Sequence, residues 1–259
     1  MIAPGWVLDM ASATDCGRVR AQNEDSLAVN ADLGYAVLAD GMGGHAAGEV
    51  ASRIAVATVD AEMRRLGQAD VLAGMSATRV ADTVLSHVTA ANAAIYHAGR
   101  GEPAYAGMGT TLVMALWHDE TIVIAHVGDS RLYRMRGDTL VQMTRDHSFL
   151  QEQIDLGLID RANARHAPSR NLVTRALGID ANVQVDVHTH PAQIGDLYLL
   201  CSDGLSDMVD DADMTEALKT STRDLARTAE DLVRQANKNG GRDNISVILA
   251  RLRSERHPA

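Results

Sequence analysis

Short apolar runs that stop abruptly on acidic residues dominate the pattern of this chain. Tyr35-Ala36-Val37-Leu38-Ala39 ends on Asp40, the run 122–127 ends at Gly128-Asp129, and the run 197–201 ends at Ser202-Asp203. Near the C-terminus the order is inverted, and Asp243 precedes the apolar run 245–250. Uninterrupted runs of this length predict strands buried on both faces. The same reading places strands over 6–14, 26–29, 35–40, 110–117, 121–127, 132–135, 183–188, 197–201 and 245–251. Gly137-Asp138 reads as a tight hairpin turn between the segments 131–136 and 139–143. Three stretches repeat near 3.6 residues and predict amphipathic helices: Val56, Val59, Met63 and Leu66; then Val80, Val84, Val88, Ala91 and Ile95; then Leu225, Ala229, Leu232 and Ala236.

Strands come first, then two adjacent helices, a strand-rich block, further helices and a last strand. That order is not the regular alternation of a parallel sheet. It predicts an α+β fold with antiparallel sheets carrying helices on the outside. The chain is expected to form one domain over 1–259. The segment 157–178 stands apart, with Arg161, Arg165, Arg170, Arg175, His166 and Pro168 and little periodicity. It reads as a mobile, basic surface element, of interest beside a site for phosphorylated ligands. The glycines of Gly107-Met108-Gly109-Thr110-Thr111 predict close backbone packing at a strand entry; the Lys of a phosphate-binding loop is missing.

Composition narrows the choice. Of 259 residues 46% are hydrophobic and 22% charged, and the formal net charge is −10. That balance, with no Lys/Arg-rich run, argues against a nucleic-acid partner. Cys16 and Cys201 are too few for a disulfide framework and, lying within expected strands, read as buried free thiols. No signal peptide or membrane-length apolar stretch is evident, so a cytoplasmic protein with no membrane association is expected.

The chemistry follows from the carboxylates. An aspartate at the lip of a buried strand is costly unless hydrated, paired or bound to a cation. Asp40, Asp129, Asp203 and Asp243 all occupy such junctions, and Arg20-Ala21-Gln22-Asn23-Glu24-Asp25 adds two more carboxylates and an arginine. The sequence contains no Gly-x-Ser-x-Gly elbow, His-Glu-x-x-His, Walker A loop or dinucleotide-binding glycine pattern. Carboxylates without thiolate ligands favour Mn²⁺ or Mg²⁺ over zinc. Several of them converging from different strands suit a two-metal site that activates water for an in-line displacement at phosphorus.

These motifs resemble those of bacterial members of the metal-dependent Ser/Thr protein phosphatases, the type-2C family. The resemblance runs from about 14 to 251 and includes Thr14-Asp15-Cys16-Gly17, 20–26, 40–49, 107–111, 128–131, Thr144-Arg145-Asp146-His147, Ser202-Asp203-Gly204-Leu205 and 241–244. It implies a four-layer α-β-β-α sandwich of two antiparallel sheets flanked by helices. It further implies two Mn²⁺ or Mg²⁺ ions and a third, weaker one. Asp40 would bridge the two ions, with Asp203 and Asp243 completing the first. The Gly41 carbonyl would bind the second, whose waters Glu24 and Asp25 would hold. Asp129 would hold the third ion with Asp203. Arg20 would bind the substrate phosphate, and His45 would protonate the leaving oxygen. Segment 157–178 would be the family's variable flap. Phosphorylated proteins would be the substrates, with a Ser/Thr kinase as the opposing enzyme and a monomer as the working form. The rival readings are a partner-switching phosphatase acting on a small transcription regulator and a non-catalytic pseudophosphatase that holds phosphoproteins.

Overall fold

The structure is a computed structural model, and it describes residues 2–43, 47–68, 71–160, 172–220 and 224–255. Two antiparallel sheets lie between two layers of helices. The first sheet has the order β2(Asp25–Asn30), β3(Tyr35–Met42), β5(Leu112–His118), β6(Thr121–Val127), β9(Asp186–Pro191), with the short β4(Gly109–Thr110) paired to β3. The second has the order β1(Trp6–Asp15), β11(Ile245–Ser254), β10(Leu197–Cys201), β7(Arg131–Arg136), β8(Thr139–Gln142). Helices α1(Ala47–Gln68) and α2(Ala77–Gly101) cover the first sheet, and α5(Asp211–Thr220) and α6(Leu225–Lys238) cover the second. Two short helices, α3(Phe149–Asp155) and α4(Asp203–Ser206), complete the set.

The four layers explain the apolar runs. Successive strand residues point to opposite faces. In β3, Tyr35, Val37 and Ala39 pack with α1 and α2, whereas Ala36 and Leu38 face the other sheet. In β10, Leu197, Leu199 and Cys201 pack toward α5 and α6, whereas Tyr198 and Leu200 enter the space between the sheets. Both faces are covered, so polar residues do not alternate with apolar ones as they would in a sheet with a wet face. Trp117 and Tyr198 meet edge-to-face in the inter-sheet core, with ring centroids 5.4 Å apart.

All three predicted helical faces are buried as expected: Val56, Val59, Met63 and Leu66 in α1, the Val80–Ile95 stripe in α2, and Leu225, Ala229, Leu232 and Ala236 in α6. Four expectations need correction. The strand expected over 183–188 forms over Asp186–Pro191, because its partner is Thr121–Val127 and the register pairs Thr121 with Pro191. The strand expected over 110–117 is two strands, broken where Thr111 bonds to Asp40. Cys16 lies just beyond β1 and is only half-buried, whereas Cys201 is a buried strand thiol as expected. The end of the expected mobile segment is pinned: Leu177 exchanges backbone hydrogen bonds with Thr110, and the Thr174 amide donates to His147. Arg161, Arg165, His166, Pro168 and Arg170 lie outside the described residues. Among the described residues no helix is long and apolar enough to cross a membrane.

Leu38 is fully buried between the sheets. Leu38→Ala should cost about 2–5 kcal/mol. Urea unfolding should show a lower midpoint at an unchanged slope; a loss below about 1 kcal/mol would mean that the inter-sheet core does not carry the fold.

Candidate metal centre

The junction carboxylates come together at one end of the sandwich. Arg20, Glu24, Asp40, Gly41, Met42, Gly43, Thr111, Asp129, Val173, Asp203 and Asp243 line a cavity of about 200 Å³. The contributing elements belong to both sheets: β3 brings Asp40 and Gly41, the turn after β6 brings Asp129, the start of α4 after β10 brings Asp203, and the loop before β11 brings Asp243. Asp25 is set back from the cavity, paired in register with Asp40 across β2 and β3. His45, the expected proton donor, lies outside the described residues.

Neutral hydrogen-bond donors hold this acidic cluster in place. The Asp40 amide donates to Thr111 Oγ1 at 3.0 Å, and the Asp40 carbonyl accepts from the Thr111 amide at 2.9 Å and from Thr110 Oγ1 at 2.8 Å. Thr111 Oγ1 also shares a 2.7 Å hydrogen bond with Ser130 Oγ, which links the Asp40 strand to the Asp129 turn. Ser202 Oγ donates to Asp25 Oδ2 at 2.9 Å and accepts from the Ser246 amide. Asn244 donates to the carbonyls of Cys16 and Gln22 and accepts from the Glu24 amide, so the loop carrying Arg20 and Glu24 is fastened beside Asp243. Gly41 has no alternative: a Cβ there would lie 2.2 Å from the Gly48 carbonyl oxygen and 2.6 Å from that of Glu24.

Crowded, buried acids raise one another's cost of ionisation, which a cation would relieve. Burial, then the charges of Asp25, Asp203, Asp129 and Asp243, raises the Asp40 carboxyl well above its ordinary range. Burial and then Asp129, Asp207 and Asp243 do the same for Asp203. Burial pushes Asp25 up to about 6, and burial with Asp146 nearby pushes Asp129 up to about 7. Asp25 Oδ1 and Asp203 Oδ1 are buried with no hydrogen-bond partner among the described residues. Among the described residues Arg20 alone brings a positive charge to the cavity lining, and it is exposed and bonded to Asp243 Oδ2 at 2.7 Å. Arg131 is held by Asp146 in a two-pronged pair and so is engaged elsewhere. Four aspartates and a glutamate near a small polar cavity, with an orphaned oxygen on Asp203 in its lining, fit divalent ions with hard oxygen ligands.

Among the described residues, sequence reasoning named every charged lining residue and gave the neutral supports no role. Thr111, Ser130, Ser202 and Asn244 are ordinary polar residues in the sequence, and only the topology places them against the carboxylates. Val173 also lines the cavity, on the pinned stretch that follows the undescribed residues.

The protein phosphatase 2C profile matches residues 14–250. The serine/threonine phosphatase stp of Listeria innocua is 40% identical over 239 residues, covering 91% of this chain and 92% of that protein. The serine/threonine protein phosphatase PstP of Mycobacterium tuberculosis is 41% identical over 244 residues, covering 94% of this chain and 45% of that protein. Its crystal structure superposes with a TM-score of 0.87 at 40% identity, covering 95% of this chain and 99% of that one. A structure of the PstP catalytic domain in complex with two manganese ions has a TM-score of 0.83 at 38% identity, covering 96% and 100%.

A testable consequence concerns stability without metal. Folded-state carboxyl groups raised above their unfolded values contribute stability that is present at low pH and lost as pH rises through the folded values. For Asp25 and Asp129 that window runs from about 4 to about 7. In chelator the melting temperature should fall across this range, and Asp203→Asn should raise it at pH 7 by removing one of the crowded charges. Thermal melts of both proteins across pH decide it; Asp203→Asn melting below the native chain in chelator would show that the charges are not in conflict.

Proposed function

The chain belongs to the protein phosphatase 2C family, and on that premise we propose that it hydrolyses phosphoserine and phosphothreonine in proteins, using Mn²⁺ or Mg²⁺. It is a metal-dependent serine/threonine protein phosphatase, and the observation that carries this reading is the set of carboxylates around one cavity, with an orphaned oxygen on Asp203 in its lining and another on Asp25 behind it. Asp40 would bridge two ions, with Asp203 and Asp243 on the first and the Gly41 carbonyl on the second. Glu24 and Asp25 would hold the second ion's waters, Glu24 from the cavity lining and Asp25 from the strand beside Asp40. Asp129 and Asp203 would hold a third ion. When bound, the ions neutralise the phosphate and activate water for attack at phosphorus.

The protein's own groups orient the reaction. Arg20 is exposed at the cavity and can turn its guanidinium from Asp243 to a phosphate dianion, a bidentate partner. His45 would give its proton to the serine or threonine oxygen as the P–O bond breaks. The side chains of Thr111, Ser130 and Ser202 keep the carboxylates fixed while these charges move. No protein nucleophile takes part, so no phosphorylated side chain forms. The opposing enzyme would be a Ser/Thr kinase, the working form a monomer, and the compartment the cytoplasm. The complete carboxylate set favours catalysis over a non-catalytic phosphoprotein-binding role.

Purified protein should release phosphate from phosphoserine and phosphothreonine peptides with Mn²⁺ or Mg²⁺ and lose that activity in chelator. Asp40→Asn should lose at least about 10³-fold in kcat, because the shared ligand of a charge-stabilising site is removed. Full activity in chelator, or a trapped phosphoenzyme, would refute the reading. His45→Ala should lose about 10²–10⁴-fold on phosphopeptides, the usual worth of a general acid. It should lose much less on p-nitrophenyl phosphate, whose leaving group departs without a proton; equal losses would assign His45 to positioning.

A further inference from the structure

A second cluster of chemistry-bearing side chains borders the site and has no part in the reaction above. His126 and His147 are buried and stacked, with ring centroids 4.7 Å apart and planes 20° from parallel. Asp186 on β9 and Arg175 on the pinned stretch complete the group. Ligand atoms of His126, His147 and Asp186 lie within 4.8 Å of one another, the donor set of a transition metal. The geometry argues against one: nearly parallel rings cannot both point a lone pair at a single ion between them. Arg175 already brings a cation there: its Nη1 donates to Asp186 Oδ1 at 2.8 Å and to the Gln184 carbonyl at 3.2 Å, which takes both its hydrogens and leaves it beside His147 Nε2 without a bond to that nitrogen.

Of this cluster, His147 reaches the turn that carries Asp129. The Gly128 amide donates to His147 Nδ1 at 3.1 Å, and the His147 amide donates back to the Gly128 carbonyl at 2.9 Å. Gly128 sits at φ +102°, where L side chains are strained, and a Cβ there would lie 2.6 Å from Thr111 Cγ2. A glycine turn of this kind is held by its hydrogen bonds rather than by steric restriction. On its other side the His147 carbonyl accepts from the Thr174 amide at 2.8 Å, next to Val173 of the cavity lining. The neighbouring Asp146 grips Arg131, so the segment 146–147 straddles Gly128-Asp129-Ser130-Arg131 from both ends. Burial, with His126 and Arg175 beside it, pushes the His147 imidazole down to about 4 and so keeps it neutral. The Gly128 amide can only donate, so Nδ1 is the acceptor and the proton sits on Nε2, toward Asp186 Oδ2 3.5 Å away.

We propose that His147 is a positioning residue: its Nδ1 fixes the Gly128-Asp129 turn, and its carbonyl ties that turn to the 172–178 stretch at the cavity edge. This rests on the reading of Asp129 as a metal-holding carboxylate. Asp129 then keeps its aim only while the imidazole, its Nε2 proton held toward Asp186, presents an acceptor to Gly128.

Two substitutions separate this role from mere packing. The amide oxygen of asparagine falls near the place of Nδ1, and that of glutamine near the place of Nε2. Both lose the stacking on His126, but only His147→Asn keeps an acceptor for Gly128. Hydrogen exchange of the full chain in chelator should show the amides of 128–130 exchanging about tenfold faster in His147→Gln than in His147→Asn, the effect of one net hydrogen bond. Calorimetric titration should show the weakest Mn²⁺ binding about tenfold weaker in His147→Gln and near native in His147→Asn, if that one bond holds Asp129. Equal exchange in the two variants, or unequal exchange with identical Mn²⁺ titrations, would overturn the proposal. In the native chain, imidazole ¹⁵N spectra should show His147 protonated on Nε2; the opposite tautomer would overturn it without any variant. An Asp129→Asn chain that titrates like the native one would sink the metal role of Asp129 itself. Asp129→Asn altered alongside a native-like His147→Gln would sink only the positioning role.

Discussion

Like charges buried together are the constraint on which this structure turns. Asp25, Asp40, Asp129 and Asp203 are all raised by burial and then by neighbouring acids, and two of their oxygens have no protein partner among the described residues. Isolated from cations, such a cluster opposes folding, because each carboxylate must either hold a proton or remain charged away from water. The rest of the sandwich offsets that cost. Three apolar layers, one between the sheets and one under each pair of helices, surround the strands that present the acids. The cluster is therefore a place where stability yields to binding: what weakens the metal-free fold is what gives a divalent ion its affinity.

The supports around the acids are neutral, and this has a physical reason. A lysine or arginine directed at each carboxylate would satisfy it and fill the place a metal needs. Thr111, Ser130, Ser202 and Asn244 instead fix the backbone and outer oxygens without adding charge. Arg131, the cation nearest in sequence to Asp129, is occupied by Asp146 and Tyr133. The negative potential of the cavity is thus preserved by locking this neighbouring cation in a pair outside it.

Much of this was legible in the sequence, for identifiable reasons. Strands covered on both faces leave an unbroken apolar run, so β3, β6 and β10 and the acids that end them stand out. The stripes of α1, α2 and α6 show because each helix has one wet face. The layer order was implied by resemblance to the phosphatase family, since periodicity gives an element's faces but not its neighbours. The helix α3 was missed because seven residues are too few to establish a period. The role of His147 could not be read at all. Its hydrogen-bond partners, Gly128, Thr174 and Asp186, come from three separate elements, and nothing in Thr144-Arg145-Asp146-His147 announces them.

Arg20 shows how the same site could pass from rest to catalysis. Its bond to Asp243 is exposed, and exposed ion pairs contribute only about 0–1 kcal/mol. A phosphate dianion offers the guanidinium two parallel charge-assisted bonds, a better partner than one carboxylate oxygen. Asp243, released from Arg20, then has its oxygen free for a cation. In the proposed phosphatase, substrate binding and completion of the metal centre would therefore favour one another through a single weak pair. The weakness of that pair is the useful property: a buried, well-satisfied bond between Arg20 and Asp243 would have kept both residues from the work assigned to them.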